Sequence, residues 1–145
     1  MFDGEKTMNL GIASYVLIDP KVNDKDPDYD MFTDTIYIHD NTFKGAPMNP
    51  TGMLGAFIAL GLGELTPPTT TTPDVIWDGV VGPTKADAQD PTKFQPDLNI
   101  CIKSNGDADF ANLAYPPQDA TKPTTDMTVH DCTHPALPAV TFTGA

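Results

Sequence analysis

Apolar and polar residues alternate most clearly along residues 34–45. Ile36 and Ile38 alternate with an aromatic residue and His39, a period of two that predicts a β-strand with its branched side chains on one face. Asp40 follows next to an asparagine, and both residue types bond to local backbone and tolerate left-handed φ angles. The stretch therefore predicts a strand that ends in a tight corner.

Other segments show similar β patterns, bounded by Gly, Pro, Asn or Asp. A strong turn signal is the Ser-Asn-Gly-Asp sequence at residues 104–107. We expect these further strands at residues 12–18, 74–81, 98–103 and 110–113.

Residues 52–61 carry apolar side chains at helical spacing, and Thr51 is a candidate N-cap. The glycines in this stretch oppose a helix, because each costs about 1 kcal/mol relative to alanine. We expect a short helix that covers the open end of a β-core. The alternative role is one wall of a ligand pocket.

The chain has 145 residues, which is the size of one domain. We expect a single domain over residues 1–145, in three parts. Residues 1–45 hold β-coils, residues 46–73 hold the helix and a Thr/Pro-rich loop, and residues 74–145 hold further strands and a tail.

Cys101 and Cys132 are the two cysteines, and no CxxC spacing of the usual zinc pattern is present. They form either one disulfide or two unpaired thiols, and we favour a disulfide that ties down the tail. That bond predicts a periplasmic or extracellular location.

The first residues lack the basic start and apolar core of a signal peptide, so we expect a removed leader or a longer secreted protein. The longest apolar run, residues 53–62, is too short to span a bilayer.

Charge is the most lopsided property of the composition, with 20 acidic residues, 8 basic residues and a net charge of −12. All the basic residues are lysines, which argues against nucleic-acid and polyanionic ligands. Nearly all the acids are aspartates, a residue type that prefers turns, caps and sites for hard cations. The acidity indicates either a solvated surface or cation binding.

Residues 20–34 are predicted to form a polar loop with carboxylates at every second position. In an extended segment these carboxylates would point to one side and repel unless a cation lay among them. Tyr29 and Thr35 replace the glycine and glutamate of an EF-hand, so an irregular calcium site or a solvated loop remains. The candidate Ca²⁺ ligands are Asp24, Asp26, Asp28 and Asp30. A second, smaller set is Asn105, Asp107 and Asp109.

His39 and Asp40 are the candidate catalytic pair, because an imidazole beside a carboxylate can act as a general base or bind a metal. The alternative is a pair that only caps the strand. His130 and His134 have a spacing that would suit a metal on a helix, but a following proline favours a loop. Trp77 is either a core residue or a platform for stacking a sugar.

Four blocks together resemble one family, namely residues 36–43, 73–79, 101–110 and 130–132. Similar blocks recur in this order in the C-terminal part of a family of secreted right-handed parallel β-helix repeat proteins. The resemblance spans about residues 5 to 140. It implies a mainly β fold, a truncated right-handed parallel β-helix of stacked β-coils with a short capping helix and long loops. It implies no activity, since that family has no established one, although its members tend to be encoded beside a c-type-cytochrome-like protein.

An open β-helix end would leave strand edges unpaired, so we expect homo-oligomers formed through it.

Serine nucleophile elbows and nucleotide-binding loops are absent from the sequence. Two functions remain. The first is a secreted calcium-dependent hydrolase of a neutral ester, lactone or glycoside, in which the aspartate loop holds the cation and His39 with Asp40 supplies the base. The second is a non-catalytic module that binds carbohydrate or a periplasmic redox-protein partner, with calcium only structural. We rank the hydrolase first by analogy with other β-helix proteins.

Overall fold

The structure is a computed structural model that describes residues 1–3, 7–45, 50–65, 71–84, 91–115 and 123–138. The strands in these ranges are β1 (Phe2–Asp3), β2 (Leu10–Ile12), β3 (Ile36–His39), β4 (Phe43–Lys44), β5 (Val75–Trp77), β6 (Ile100–Lys103) and β7 (Phe110–Asn112). The helices are α1 (Val22–Lys25), α2 (Gly52–Gly63) and α3 (Pro91–Leu98). Short 3₁₀ turns occupy Tyr15–Leu17 and Thr128–His130.

All the paired strands run parallel and form three small sheets. One sheet pairs β1 with β4, one has the order β2-β5-β7, and one pairs β3 with β6. In the three-stranded sheet Leu10 lies opposite Val75, and in the β3-β6 sheet Ile36 lies opposite Ile100. In these two sheets, strands from the first half of the chain therefore run alongside strands from the second half in the same direction.

The predicted truncated right-handed β-helix is wrong. The described residues show short parallel strands in small sheets that do not close, together with helices, and no solenoid of stacked coils. The strands are only two to four residues long, and helices and irregular segments lie between partners that are far apart in the sequence. Local alternation correctly predicted most of the longer strands, but it carries no information about the partner with which each strand pairs.

The three-stranded sheet is the middle layer of the fold and is covered on both faces. Val75 and Trp77 of β5 point towards the β3-β6 sheet, where they pack with Ile38 and Ile100. Ile76 points the other way and packs with the apolar side of α2. A strand covered on both faces is apolar throughout, which explains why every residue of β5 is buried. Trp77 has no exposed surface, so it is a core residue and the sugar-platform alternative is wrong.

The predicted helix is confirmed over Gly52–Gly63. Two of its glycines have a packing role, since a Cβ on Gly61 would come within 2.9 Å of the Leu113 side chain and one on Gly55 within 2.5 Å of the Pro50 backbone. Glycine lowers the helix propensity at these two positions, but its missing Cβ lets Leu113 and Pro50 pack close to the helix backbone. Among the described residues, no helix is long and apolar enough to cross a membrane.

The predicted disulfide between Cys101 and Cys132 is confirmed. It joins β6 to the C-terminal segment, in which the ring of His130 is buried against Trp77 and Phe110. The Nδ1 of His130 lies 3.1 Å from the carbonyl oxygen of Ile100. His130 therefore belongs to the core, where its ring packs against aromatic side chains.

Several predicted boundaries are wrong. The strand expected at residues 12–18 ends at Ile12 and turns into a 3₁₀ turn, because the Ser14 N–H donates to the side chain of Asp78. The strand expected at residues 74–81 is only Val75–Trp77. The polar stretch before residue 98 holds α3, which the sequence reasoning missed.

Candidate functional site

A pocket lies at the carboxyl ends of the strands of the three-stranded sheet, on the side that α2 covers. Its volume is about 560 Å³. Three segments that leave the sheet form its floor, namely the residues after β2, β5 and β7, and α2 forms one wall. Parallel sheets commonly bind ligands beyond the carboxyl ends of their strands. We name it the Asp78 pocket, and its lining residues are Met8, Gly11, Ile12, Ala13, Ser14, Leu17, Ile18, Met53, Phe57, Ile58, Ile76, Asp78, Leu113 and Tyr115.

Apolar side chains make up most of the lining, and several remain in contact with water. Ile18 is 72% exposed and Met53 is 79% exposed. Phe57 also remains partly exposed, although its ring packs edge-on against Tyr115. Large apolar side chains held open around a cavity lose unfavourable hydration when an apolar molecule enters.

Asp78 is the acidic residue of the lining and is only 5% exposed. Its Oδ2 accepts a hydrogen bond from the Ser14 N–H at 2.5 Å, and its Oδ1 accepts one from the Val80 N–H at 2.9 Å. Burial raises the pKa of Asp78 to about 6, although the two backbone donors favour the ionised form. A carboxyl group with a raised pKa inside a pocket is typical of a functional site.

The backbone after β5 and β7 holds Asp78 in place. Gly79 has a φ of +77°, and a Cβ there would lie 2.0 Å from the Oδ1 of Asn112. That oxygen accepts a hydrogen bond from the Ala114 N–H, and the Tyr115 N–H donates to the Asp78 carbonyl. Glycine is therefore required directly after Asp78, where the chain turns away from the sheet.

Sequence reasoning missed Asp78 because it placed the residue inside a longer strand. A signal was present, since Asp78 is the one charged residue in the apolar run of residues 75–81. An acid in such a run is either at a strand end or buried with partners. Its partner Ser14 is 64 positions away, so only the fold identifies the site.

The predicted catalytic pair lies elsewhere. The Nδ1 of His39 is 2.8 Å from the Oδ2 of Asp40, and both side chains are exposed. The His39 ring stacks on Tyr37, which also stacks on His134. The φ of +54° at Asp40 confirms the predicted corner. The two side chains are in contact, but neither residue lines the Asp78 pocket, and their catalytic role stays a prediction.

The four predicted calcium ligands do not lie on one extended segment. Asp24 is in α1, and its side chain lies outside the described residues. Asp26 and Asp30 accept hydrogen bonds from the backbone N–H groups two residues later, as turn-forming aspartates do. Asp28 is exposed. Within the described ranges no group of three or more His, Cys, Asp or Glu could hold a metal ion, and the calcium site stays a prediction.

The second set of candidate ligands has structural partners. Asn105 is buried, and its side chain bonds to Asn41 and to the carbonyl of Ile38. The Oδ1 of Asp109 accepts a hydrogen bond from the Asp74 N–H at 2.7 Å. His134, the partner in the predicted histidine spacing, has its Nε2 2.8 Å from the carbonyl oxygen of Asn99. These contacts tie loops to neighbouring strands.

Comparison of the chain with protein-family models, with curated proteins and with solved structures finds no match. The resemblance to the secreted repeat family therefore stays a prediction.

Proposed function

We propose that the protein is a non-catalytic binding module whose ligand is a small, mainly apolar molecule held in the Asp78 pocket. The observation that carries this proposal is the cavity of about 560 Å³ with an apolar lining. Pockets for small molecules span about 300–1,000 Å³ and combine apolar walls with few polar groups. The proposal keeps the non-catalytic class that the sequence analysis ranked second, and it replaces the carbohydrate or redox-protein partner by a small apolar ligand.

The lining favours an apolar ligand over a carbohydrate. Polar side-chain groups in the lining come from Ser14, Asp78 and Tyr115. A sugar carries several hydroxyl groups, and each one buried without a partner costs about 1–3 kcal/mol. An apolar molecule has no such cost and gains about 25 cal/mol for each Å² of apolar surface removed from water.

A pair of matched substitutions tests the proposal. Leu17 lines the pocket and is 40% exposed, whereas Leu60 lies on α2 outside the lining and is 62% exposed. Leu17→Gln is expected to weaken binding of a neutral solvatochromic dye such as Nile red by about tenfold, because a buried leucine contributes about 1.5 kcal/mol. Leu60→Gln is expected to leave the Kd unchanged. Fluorescence titration of both variants measures the effect.

Two results of this titration would contradict the proposal. One is the absence of saturable dye binding by the wild-type protein. The other is an equal loss of affinity in both variants, which would assign the binding to general surface hydrophobicity. Far-UV circular dichroism and thermal melting confirm that each variant is folded before its Kd is compared.

The second candidate function is the secreted calcium-dependent hydrolase of a neutral ester, lactone or glycoside. The specific observation in its favour is the 2.8 Å contact of His39 Nδ1 with Asp40 Oδ2. With Nδ1 protonated and donating to Asp40, the Nε2 of His39 carries the lone pair that accepts a proton from water. Asp26, Asp28 and Asp30, together with Asp24, are the proposed Ca²⁺ ligands.

Assays against a panel of esters, lactones and glycosides, with and without a chelator, test this candidate. Turnover should fall by about 100-fold or more in His39→Gln, because general-base catalysis contributes that much. His134→Gln is the matched control, since the His134 ring stacks on Tyr37, as the His39 ring does. No turnover, or turnover indifferent to the chelator and to His39, would remove this function.

A further inference from the structure

The described lining of the apolar pocket contains one buried carboxylate, that of Asp78. No cationic side chain of this described lining pairs with it. No lysine or histidine is among the described residues that line the pocket. The sequence contains no arginine, and Lys25 and Lys103 pair with Asp19 and Asp131. The partners of the Asp78 carboxylate are two backbone N–H groups and the Ser14 side chain, all of them neutral. A buried carboxylate without a charged partner is incompletely compensated.

We infer that the ligand is an amphiphilic amine, with an apolar body in the Asp78 pocket and an ammonium group bound to the Asp78 carboxylate. This inference rests on the proposed function, because it specifies the chemistry of the ligand for the same pocket.

The carboxylate can accept further hydrogen bonds in the bound state. An ionised carboxyl group offers about four lone-pair positions, and the Ser14 and Val80 N–H groups each use one. An ammonium group brings three donors and a positive charge. Charge-assisted hydrogen bonds are about twice as strong as neutral ones and gain further strength in a site that excludes water.

The charge of the whole protein acts in the same direction. The net charge is −12, which raises the local concentration of cations and disfavours the approach of anionic ligands. A fatty acid would place a second carboxylate beside Asp78, and two like charges in one buried site cannot both stay ionised. A neutral alcohol would fill the apolar part without compensating the charge.

Few groups in the pocket can titrate besides Asp78. The lining contributed by β2, its following turn and α2 contains no ionisable side chain among the described residues. Tyr115, which follows β7, is the other titratable group, and burial raises its pKa further above neutrality. Changes in ligand binding between pH 5 and pH 7.5 therefore report on Asp78.

Three probes with the same ten-carbon chain test the inference, namely 1-decylamine, 1-decanol and decanoate, each used to displace the neutral dye. Measurements in 150 mM salt screen the general charge of the protein. At pH 7.5 the amine is expected to bind at least about tenfold more tightly than the alcohol, and decanoate most weakly. The matched variant is Asp78→Asn, which changes the net charge by one and should bind the amine and alcohol equally.

The outcomes separate the two proposals. Dye and alcohol binding without a preference for the amine, or a preference that survives in Asp78→Asn, would overturn the ammonium inference and leave the proposed function standing. Failure of the dye and all three probes to bind would refute both.

A pH series on the wild-type protein keeps the inference testable if Asp78→Asn does not fold. The preference for amine over alcohol should fall between pH 7.5 and pH 5, because Asp78 becomes neutral while an aliphatic amine stays protonated. A preference that does not change over this range would overturn the inference.

Discussion

The burial of Asp78 predicts a specific dependence of stability on pH. Asp78 has a pKa of about 6 in the folded protein, against 3.8 for an ordinary aspartate, because burial disfavours its charged form. The folded state therefore binds this proton more tightly than the unfolded state. The stabilisation is fully present below pH 3.8 and is lost as the pH rises towards 6.

The size of the effect follows from the two pKa values. At about 1.4 kcal/mol per pKa unit, a rise from 3.8 to about 6 corresponds to about 3 kcal/mol. Buried His130 acts in the opposite direction, because burial lowers its pKa and the folded state loses stability as the pH falls. A comparison with Asp78→Asn removes this contribution, since both proteins contain His130.

Urea denaturation of the wild-type protein and Asp78→Asn at several values between pH 4 and pH 7.5 provides the assay. Trp77 is the single tryptophan and has no exposed surface, so its fluorescence reports unfolding, and circular dichroism gives a second signal. The difference in unfolding free energy between the two proteins should change by about 2.5 kcal/mol over this range, because the remainder of the effect develops only below pH 4. Parallel pH profiles would refute the assignment of a buried, charged Asp78.

Two further predictions concern the frame around the pocket. Replacement of Cys101 and Cys132 by alanine should lower the unfolding free energy by about 4 kcal/mol, because the disulfide closes a loop with a sequence separation of 31; an unchanged urea midpoint would contradict this. Gly79→Ala should cost more than about 2 kcal/mol, since its φ is positive and Asn112 blocks the Cβ, whereas Gly106→Ala should cost about 1 kcal/mol because its Cβ would meet open space. Equal losses in the two glycine variants would show that Asn112 can move aside.

Local patterns in the sequence predicted several elements correctly. The alternation around Ile38 predicted β3, and the spacing of apolar residues predicted α2 in spite of its glycines. Both patterns depend on which face of a single element is buried, and that information is local. The helix α3 was missed because it begins at Pro91 and contains prolines and polar residues, which also suit a loop.

The pairing of the strands and the pocket could not be predicted in the same way. β2 pairs with β5, and the contact of Ser14 with Asp78 joins residues 64 positions apart. Such long-range contacts depend on the packing of the whole chain, which a single sequence does not reveal. The resemblance to a repeat family led to the incorrect β-helix prediction, because similar strand sequences also fit small open sheets. The buried carboxyl of Asp78 then escaped notice, although the helix beside it was correctly predicted.

Backbone amide chemical shifts of ¹⁵N-labelled protein titrated with 1-decylamine test the binding of a ligand at the Asp78 pocket most directly. If the pocket is the binding site, the largest saturable changes should belong to Ser14 and Val80, whose N–H groups donate to Asp78, and to Leu113, which lines the pocket. The amide of Asn41, which bonds to Asn105 away from the pocket, should shift little. Saturable changes centred on His39, or no saturable changes at all, would contradict the binding of an amine in this pocket.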